Sequence, residues 1–256
     1  MITPEYPQTG NKLENQIILI TGAGDGIGKA VAKACAAHGA TVILTGRTRR
    51  KLEICYDEIA AEKFTEPLIY KLDLLELDDT AAITLAESVY SEFGRLDGLV
   101  HNAAILGTLA PYIHFDSKLW HKVFQVNAHA PFVLNKFLHP LLQRSDKASV
   151  IFTGSGVGTQ GLAYWGAYSA SKFANEGMMQ TLAQEFFSDK IRVNMIDPGE
   201  VRTKMHASAF PAQNPAQITA PEDITDAYIY LLSTDSENLS GCRIMAWQKG
   251  TGLEKT

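Results

Sequence analysis

Apolar residues along this chain gather in short runs, and the runs are separated by longer stretches in which apolar positions recur every three or four residues. The runs fall at 16–21, 41–45, 68–72, 98–101, 149–153, 192–196 and, less sharply, 242–246, and each predicts a strand. The amphipathic stretches at 27–38, 49–63, 78–93, 117–143, 166–187 and 221–233 predict helices. Regular alternation of strand and helix predicts an α/β fold: a doubly wound parallel sheet of about seven strands with helices on both faces, in three layers. The strands carry too little polar alternation for either face to be wet.

No Pro/Gly/Ser-rich linker and no internal repeat interrupts the pattern, which predicts one domain over 1–256. Residues 1–15 read as a loose lead-in. The stretch 204–222, with Pro211, Pro215 and Pro221, breaks the periodicity, either as a plain connection or as a lid over a substrate pocket.

Composition narrows the function classes. With 46% hydrophobic and 20% charged residues, the 256-residue chain has the balance of an ordinary globular protein. A net charge of −5 and a single short basic run, Arg47 to Lys51, point away from nucleic acid and acidic membranes and toward small-molecule work. Cys35, Cys55 and Cys242 are odd in number and lack CxxC spacing, so neither a disulfide framework nor a thiolate metal site is expected. None of the seven His residues makes a metal-ligand motif. No secretory leader or long apolar span is visible, and a cytoplasmic location is expected.

The stretch TGAGDGIGKA places Gly22, Gly24, Gly26 and Gly28, with Asp25 and Ile27 among them, between the first strand and the first helix. Glycines there let phosphate oxygens approach main-chain N–H groups at a helix N-terminus, whose partial positive charge favours an anion. A dinucleotide pyrophosphate is the natural guest, which makes the fold Rossmann-type. A carboxylate at the end of the second strand would hold a ribose 2′-OH, whereas a guanidinium accommodates a 2′-phosphate. Here Gly46 stands at the acidic position and Arg47 follows it, favouring NADP(H) over NAD(H), with NAD(H) not excluded. Two features argue the other way. Arg47 and its basic neighbours also read as a solvated helix start, and Asp25 would repel the phosphate.

Tyr168 and Lys172, in YSASK, lie at i and i+4 and share a helix face. Hydride transfer to a carbonyl needs a proton at the oxygen, and a tyrosine with pKa ~10 is a poor base at neutral pH. Lowering it by about 3 units takes ~4 kcal/mol, about what one positive charge at ~4 Å supplies at an effective dielectric near 20. Ser155 follows the fifth strand, at the sheet edge where such folds bind ligands, and its hydroxyl can orient a substrate oxygen. Thr153, Ser169 and Ser171 read instead as hydroxyls bonded to nearby backbone. Asn127 sits mid-helix, where an amide is unfavourable without a task.

Taken in order, TGxxxGxG, Asp73, HNAA at 101–104, Asn127, Ser155, Tyr168 with Lys172, and DPGEVRT at 197–203 resemble the short-chain dehydrogenase/reductase family over nearly the whole chain. Several stretches, including HNAAILG and GAYSASKFANEGMMQ, resemble one bacterial branch of it. The resemblance implies an oxidoreductase acting on a small-molecule carbonyl or alcohol, with Asn127, Ser155, Tyr168 and Lys172 catalytic. It further implies that Lys172 binds the nicotinamide ribose, that Asn127 holds a proton-relaying water, and that Asp73 meets the adenine amino group. Leu74, Asn102 and Ala103 would line the cofactor cleft, and Pro198, Gly199, Val201 and Thr203 would meet the nicotinamide end. Ala104 stands where the family commonly has glycine, which questions any positive φ there. Relatives are generally homodimers or homotetramers.

Two competing readings remain. A catalytically silent NAD(P)-binding sensor or scaffold would be expected to lack Tyr168, Lys172 or Ser155. Sugar-nucleotide chemistry on the extended fold would need a larger C-terminal substrate region. Tyr164, Trp165, Met205 and Phe210 suggest an apolar or ring-containing substrate, although core or interface packing explains them equally well.

Overall fold

Four consecutive apolar residues, Ile17 to Ile20, cannot form a strand with a wet face, and the structure buries all four. They begin β1 (Ile17–Thr21), an interior strand of a seven-stranded parallel sheet in a computed structural model that describes residues 11–246. The other strands are β2 (Thr41–Gly46), β3 (Leu68–Lys71), β4 (Gly98–His101), β5 (Ser149–Thr153), β6 (Arg192–Asp197) and β7 (Arg243–Met245). Their order is β3-β2-β1-β4-β5-β6-β7. Helices α1 (Gly26–Ala37), α2 (Arg49–Ala61), α3 (Asp79–Phe93), α4 (Ser117–Phe124), α5 (Ala130–Leu142), α6 (Gly166–Glu185), α7 (Lys204–Ala209) and α8 (Thr225–Leu232) complete the connections.

Side-chain alternation along the strands divides the interior in two. Ile18 and Ile20 of β1 pack with α1, α2 and α8, whereas Ile17 and Leu19 pack with α3, α5 and α6. Ile18 is level with Val42 of β2 on one side and Gly98 of β4 on the other. Strand order reverses between β1 and β4, and in doubly wound sheets the ligand crevice opens there, beyond the carboxyl ends of the strands.

The seven expected strands and six expected helical regions are all present, with three departures. The lead-in is not loose throughout. Leu13 is fully buried and its N–H donates to the His38 carbonyl at 3.0 Å, while residues 1–10 lie outside the described residues. The expected helix over 117–143 is interrupted by a π-helical turn, Gln125–His129, between α4 and α5. Pro131 has no N–H to bond the Asn127 carbonyl, and the wider turn, with the Ala130 N–H donating to Gln125, accommodates that loss. The stretch 204–222 is partly helical: α7 is followed by single 3-10 turns at Pro215–Gln217 and Pro221–Ile224.

Candidate active site

The glycine turn is shaped by what a side chain would strike. A Cβ on Gly28 would sit 2.3 Å from the Gly22 carbonyl oxygen, so only glycine lets α1 start this close to β1. Gly22 has φ +71°, which carries the chain out of the strand. Asp25 then caps α1, its Oδ1 accepting from the Gly26 N–H at 3.0 Å. Across the switch point, Thr21 locks β4 to the turn: its hydroxyl accepts from the N–H groups of Asn102 and Ala103, each at 3.0 Å. The Asn102 amide donates to the Thr21 carbonyl at 3.0 Å. Asn102 therefore braces the turn from behind as well as lining the cleft. Ala104 is not among the residues with left-handed backbone, so the substitution costs nothing in φ.

A cavity of about 500 Å³ runs from this turn to α6. Its lining includes Gly24 and Asp25 of the turn, Arg47 after β2, Asp73 and Leu74 after β3, Tyr168 and Lys172 of α6, and Pro198 and Thr203 after β6. Gly22, Gly26, Ile27, Asn102 and Ala103 line it as well. The cradle left by the glycines and the cations beside it fit a dinucleotide phosphate. Some expected contacts are not made directly. Gly28 lies behind the wall, against Gly22 and Asn102. Val201 does not face the cavity: it is 3% exposed, its side chain joins the apolar interior, and its backbone bridges to Thr219. Gly199, with φ +67°, turns the chain after β6, its N–H donating to Asp197 Oδ1 at 3.0 Å.

The α6 end of the cavity is held by buried hydrogen bonds. Tyr168 is buried, its hydroxyl is hydrogen-bonded to Ser155, and it lies on the cavity wall. Burial pushes its phenol up to about 12, against the Ser155 hydrogen bond; the Asp197 carboxylate adds to the rise. The Lys172 ammonium sits 5.5 Å from the Tyr168 ring centre and donates to the Thr153 carbonyl at 2.7 Å. Burial in turn lowers Lys172 to about 8, opposed by Asp197.

Hydroxyls read as plain backbone partners do more than that here. The Ser169 hydroxyl donates to the Val157 carbonyl at 2.6 Å, folding the 156–158 turn against α6 and setting Ser155 beside Tyr168. Ser171 donates to the Tyr168 carbonyl at 2.7 Å and accepts from the Asn127 amide at 3.0 Å. Asn127 also closes a pair of bonds with the Ile105 backbone, at 2.8 and 2.9 Å, and stands behind the cavity instead of on its wall. The small residues of YSAS in α6, Ser169, Ala170 and Ser171, were the signal for this packing. Nothing local marked Arg243. From β7 its guanidinium donates to the Ser155 carbonyl at 3.0 Å and to Asp197 at 2.6 Å, and it also pairs with Glu176 of α6.

At the mouth, Trp165 lies edge-on to Tyr168 at 5.9 Å and against Phe210 of the 204–222 segment at 5.7 Å. Met205 lines the cavity, while Tyr164 projects outward with φ +74°.

The short chain dehydrogenase family model matches residues 16–214. This chain belongs to the short-chain dehydrogenase/reductase family. Among the family's oxidoreductases, it is 45% identical to the uncharacterised oxidoreductase YciK of Escherichia coli K12 over 236 residues, spanning 92% of this chain and 93% of that one. Its fold matches a short chain dehydrogenase of Shigella flexneri complexed with NADP (TM-score 0.91, 44% identity, 93% of this chain and 99% of that one). It also matches one of Escherichia coli CFT073 complexed with NADPH (TM-score 0.91, 45% identity, 94% of this chain and 100% of that one). The similarity to the YciK branch agrees with the wording of the motifs in this chain. No helix among the described residues of this family member is long and apolar enough to cross a membrane.

Proposed function

We propose that this short-chain dehydrogenase/reductase is an NADP(H)-dependent oxidoreductase that interconverts a small-molecule carbonyl and its alcohol, with Tyr168 as general acid and base. The observation that carries the reading is the convergence of Tyr168 and Lys172 with the glycine turn on one cavity, with Ser155 bonded to Tyr168. The relatives crystallised with NADP and NADPH, together with Arg47 at the end of β2, support the choice of cofactor. The nicotinamide, when bound, supplies or accepts the hydride.

The rest of the chemistry belongs to the chain. Tyr168 keeps its proton in the cofactor-free protein because burial disfavours the phenolate, so it stands ready to donate to a carbonyl oxygen. Ser155 shares that proton and orients the substrate oxygen. Lys172, held by the Thr153 carbonyl, places a positive charge beside the ring and favours the phenolate after transfer. Asn127 and Ser171 fix the start of the helical turn that carries Tyr168, and Asn127 has acceptor capacity left for the water the family reading assigns to it. Asp73, whose Oδ1 accepts from the Leu75 N–H at 3.0 Å, receives the adenine amino group in this reading. Pro198 and Thr203 close the nicotinamide end, and residues 204–222 form a lid whose Phe210 and Met205 favour an apolar or ring-bearing substrate.

The assembly we propose is a homodimer or homotetramer, supported by Phe132 of α5 and Phe173 of α6, 51% and 45% exposed. Light scattering after size exclusion checks it, and a monomer at micromolar concentration would contradict it. The test of the function is a screen of ketones and aldehydes with NADPH, following loss of the reduced cofactor. Turnover of at least one carbonyl is expected, and silence across aromatic, aliphatic and acyl-thioester carbonyls would leave only a binding protein.

A further inference from the structure

Asp25 stands in the turn that a dinucleotide's phosphates approach, where a lone carboxylate would oppose them. The structure surrounds it with cations from two other elements. While Oδ1 caps α1, Oδ2 accepts from Lys51 of α2 and from Lys204 at the start of α7, both at 2.8 Å. Burial works against ionisation, but the hydrogen bonds from Lys204 and Lys51 prevail and hold the Asp25 carboxyl at about 2. The acid is therefore charged, and matched, throughout the physiological range. Asp25, Arg47, Lys51 and Lys204 all line the same cavity, and over its whole lining five cations, Arg47, Lys51, Lys122, Lys172 and Lys204, face two carboxylates, Asp25 and Asp73.

Neither lysine is a freely waving surface group. A Cβ on Gly24 would lie 2.9 Å from the Lys51 Cβ, so the stem of Lys51 rests on the glycine turn. Next to Lys204, the Thr203 methyl would lie 3.1 Å from a Cβ on Gly26, so the start of α7 is packed onto the same turn from the other side. The Lys204 side chain is 80% exposed even so, and its ammonium is paired with Asp25 at the cavity. An ammonium has three donors, so each lysine can keep Asp25 and still bond a phosphate oxygen.

Building on the NADP(H) reading, we propose that Lys51 and Lys204, positioned by Asp25, are specificity-determining residues that read the cofactor's 2′-phosphate together with Arg47. Asp25 then works as the counter-ion that gathers the readers. The arrangement also ties cofactor choice to the segment over the substrate, because one reader belongs to α7. NADH brings no phosphate to this place and leaves both lysines with Asp25 alone.

Calorimetric titration with 2′,5′-ADP and 5′-ADP, fragments with and without the 2′-phosphate, tests this without reference to turnover. In Lys51→Ala and Lys204→Ala, binding of 2′,5′-ADP should weaken about tenfold each, with 5′-ADP changed less than about twofold. Lys204→Arg should restore binding to within about twofold of wild type. Both variants keeping the wild-type ratio between the two fragments would overturn the proposal and leave the NADP(H) reading standing. Equal weakening of both fragments would also overturn it, by assigning the lysines to the shared phosphate. If the wild-type protein itself binds 5′-ADP as tightly as 2′,5′-ADP, the NADP(H) reading is what fails.

Discussion

On the β1 side of the cleft the working surface is main chain. Gly22 and Gly26 line the cleft with Gly28 packed behind them, Thr21 ties the turn to the end of β4, and the charges of Asp25, Arg47, Lys51, Asp73 and Lys204 stand around it. On the β5 side the surface is side chain, and Tyr168, Lys172 and Asn127 are buried and bonded to one another's surroundings rather than directly paired. A pyrophosphate asks only for close approach and N–H groups, which backbone supplies. Moving a proton asks for groups whose charge is held out of balance, which takes burial: the same desolvation that raises Tyr168 lowers Lys172. One side is built by leaving atoms out, the other by burying atoms that prefer water.

The sharpest way to break the backbone side is Gly28→Ala. With its Cβ 2.3 Å from a carbonyl oxygen, we expect a loss of about 3 kcal/mol or more in stability or the equivalent, about a hundredfold, in NADPH affinity. Thermal melts and cofactor titration check it, and a variant that melts and binds like wild type would contradict the account of the turn.

Between the two sides lies His101, the last residue of β4, its ring tilted against Phe152 at 4.7 Å and bonded through Nε2 to the Asn135 amide at 3.0 Å. Burial lowers it to about 4, against the Asn135 hydrogen bond. The unfolded chain, with an ordinary His near 6.5, therefore binds the proton that the folded chain refuses, and stability falls as pH drops from about 6.5 to 4. The loss expected from this group is about 3 kcal/mol, read as the difference between denaturation midpoints of wild type and His101→Asn across that range. Parallel curves for the two proteins would remove His101 as the cause.

Smaller again is the cost of removing Arg47. Arg47→Ala should weaken NADPH about tenfold and NADH by less than about twofold, in fluorescence titrations. An equal effect on both cofactors would reduce Arg47 to a solvated helix start. At the low end, Tyr164 holds φ +74° just before α6 while its carbonyl accepts from the Ala110 N–H at 3.1 Å. Tyr164→Gly should relieve that strain and raise stability by about 1 kcal/mol. A lowered melting temperature would show the phenol ring to be packed more usefully than its 59% exposure indicates.

The two sides also differ in how far they were legible in the sequence. Apolar runs located every strand because both faces of this sheet are covered, and glycine spacing located the phosphate turn because backbone requirements leave few residue choices. The spacing of Tyr168 and Lys172 placed both on one helix face, but it did not reveal that Lys172 spends its bond on Thr153. Burial decides that, and burial is a property of the assembled interior. The π turn at Asn127 was hidden because Pro131 is compatible with an ordinary helix start, and only the partners Ile105 and Ser171 show why the chain widens there. Lys204 and Arg243 lie 179 and 88 residues from Asp25 and Ser155, and no local pattern connects such pairs.

In the proposed mechanism the Tyr168 hydroxyl moves the proton. The direct measurement is kcat for an accepted carbonyl with NADPH in wild type and Tyr168→Phe, alongside NADPH affinity in both. The account predicts a fall in kcat of about a thousandfold with NADPH binding within about twofold. Comparable turnover without the phenol oxygen would contradict it.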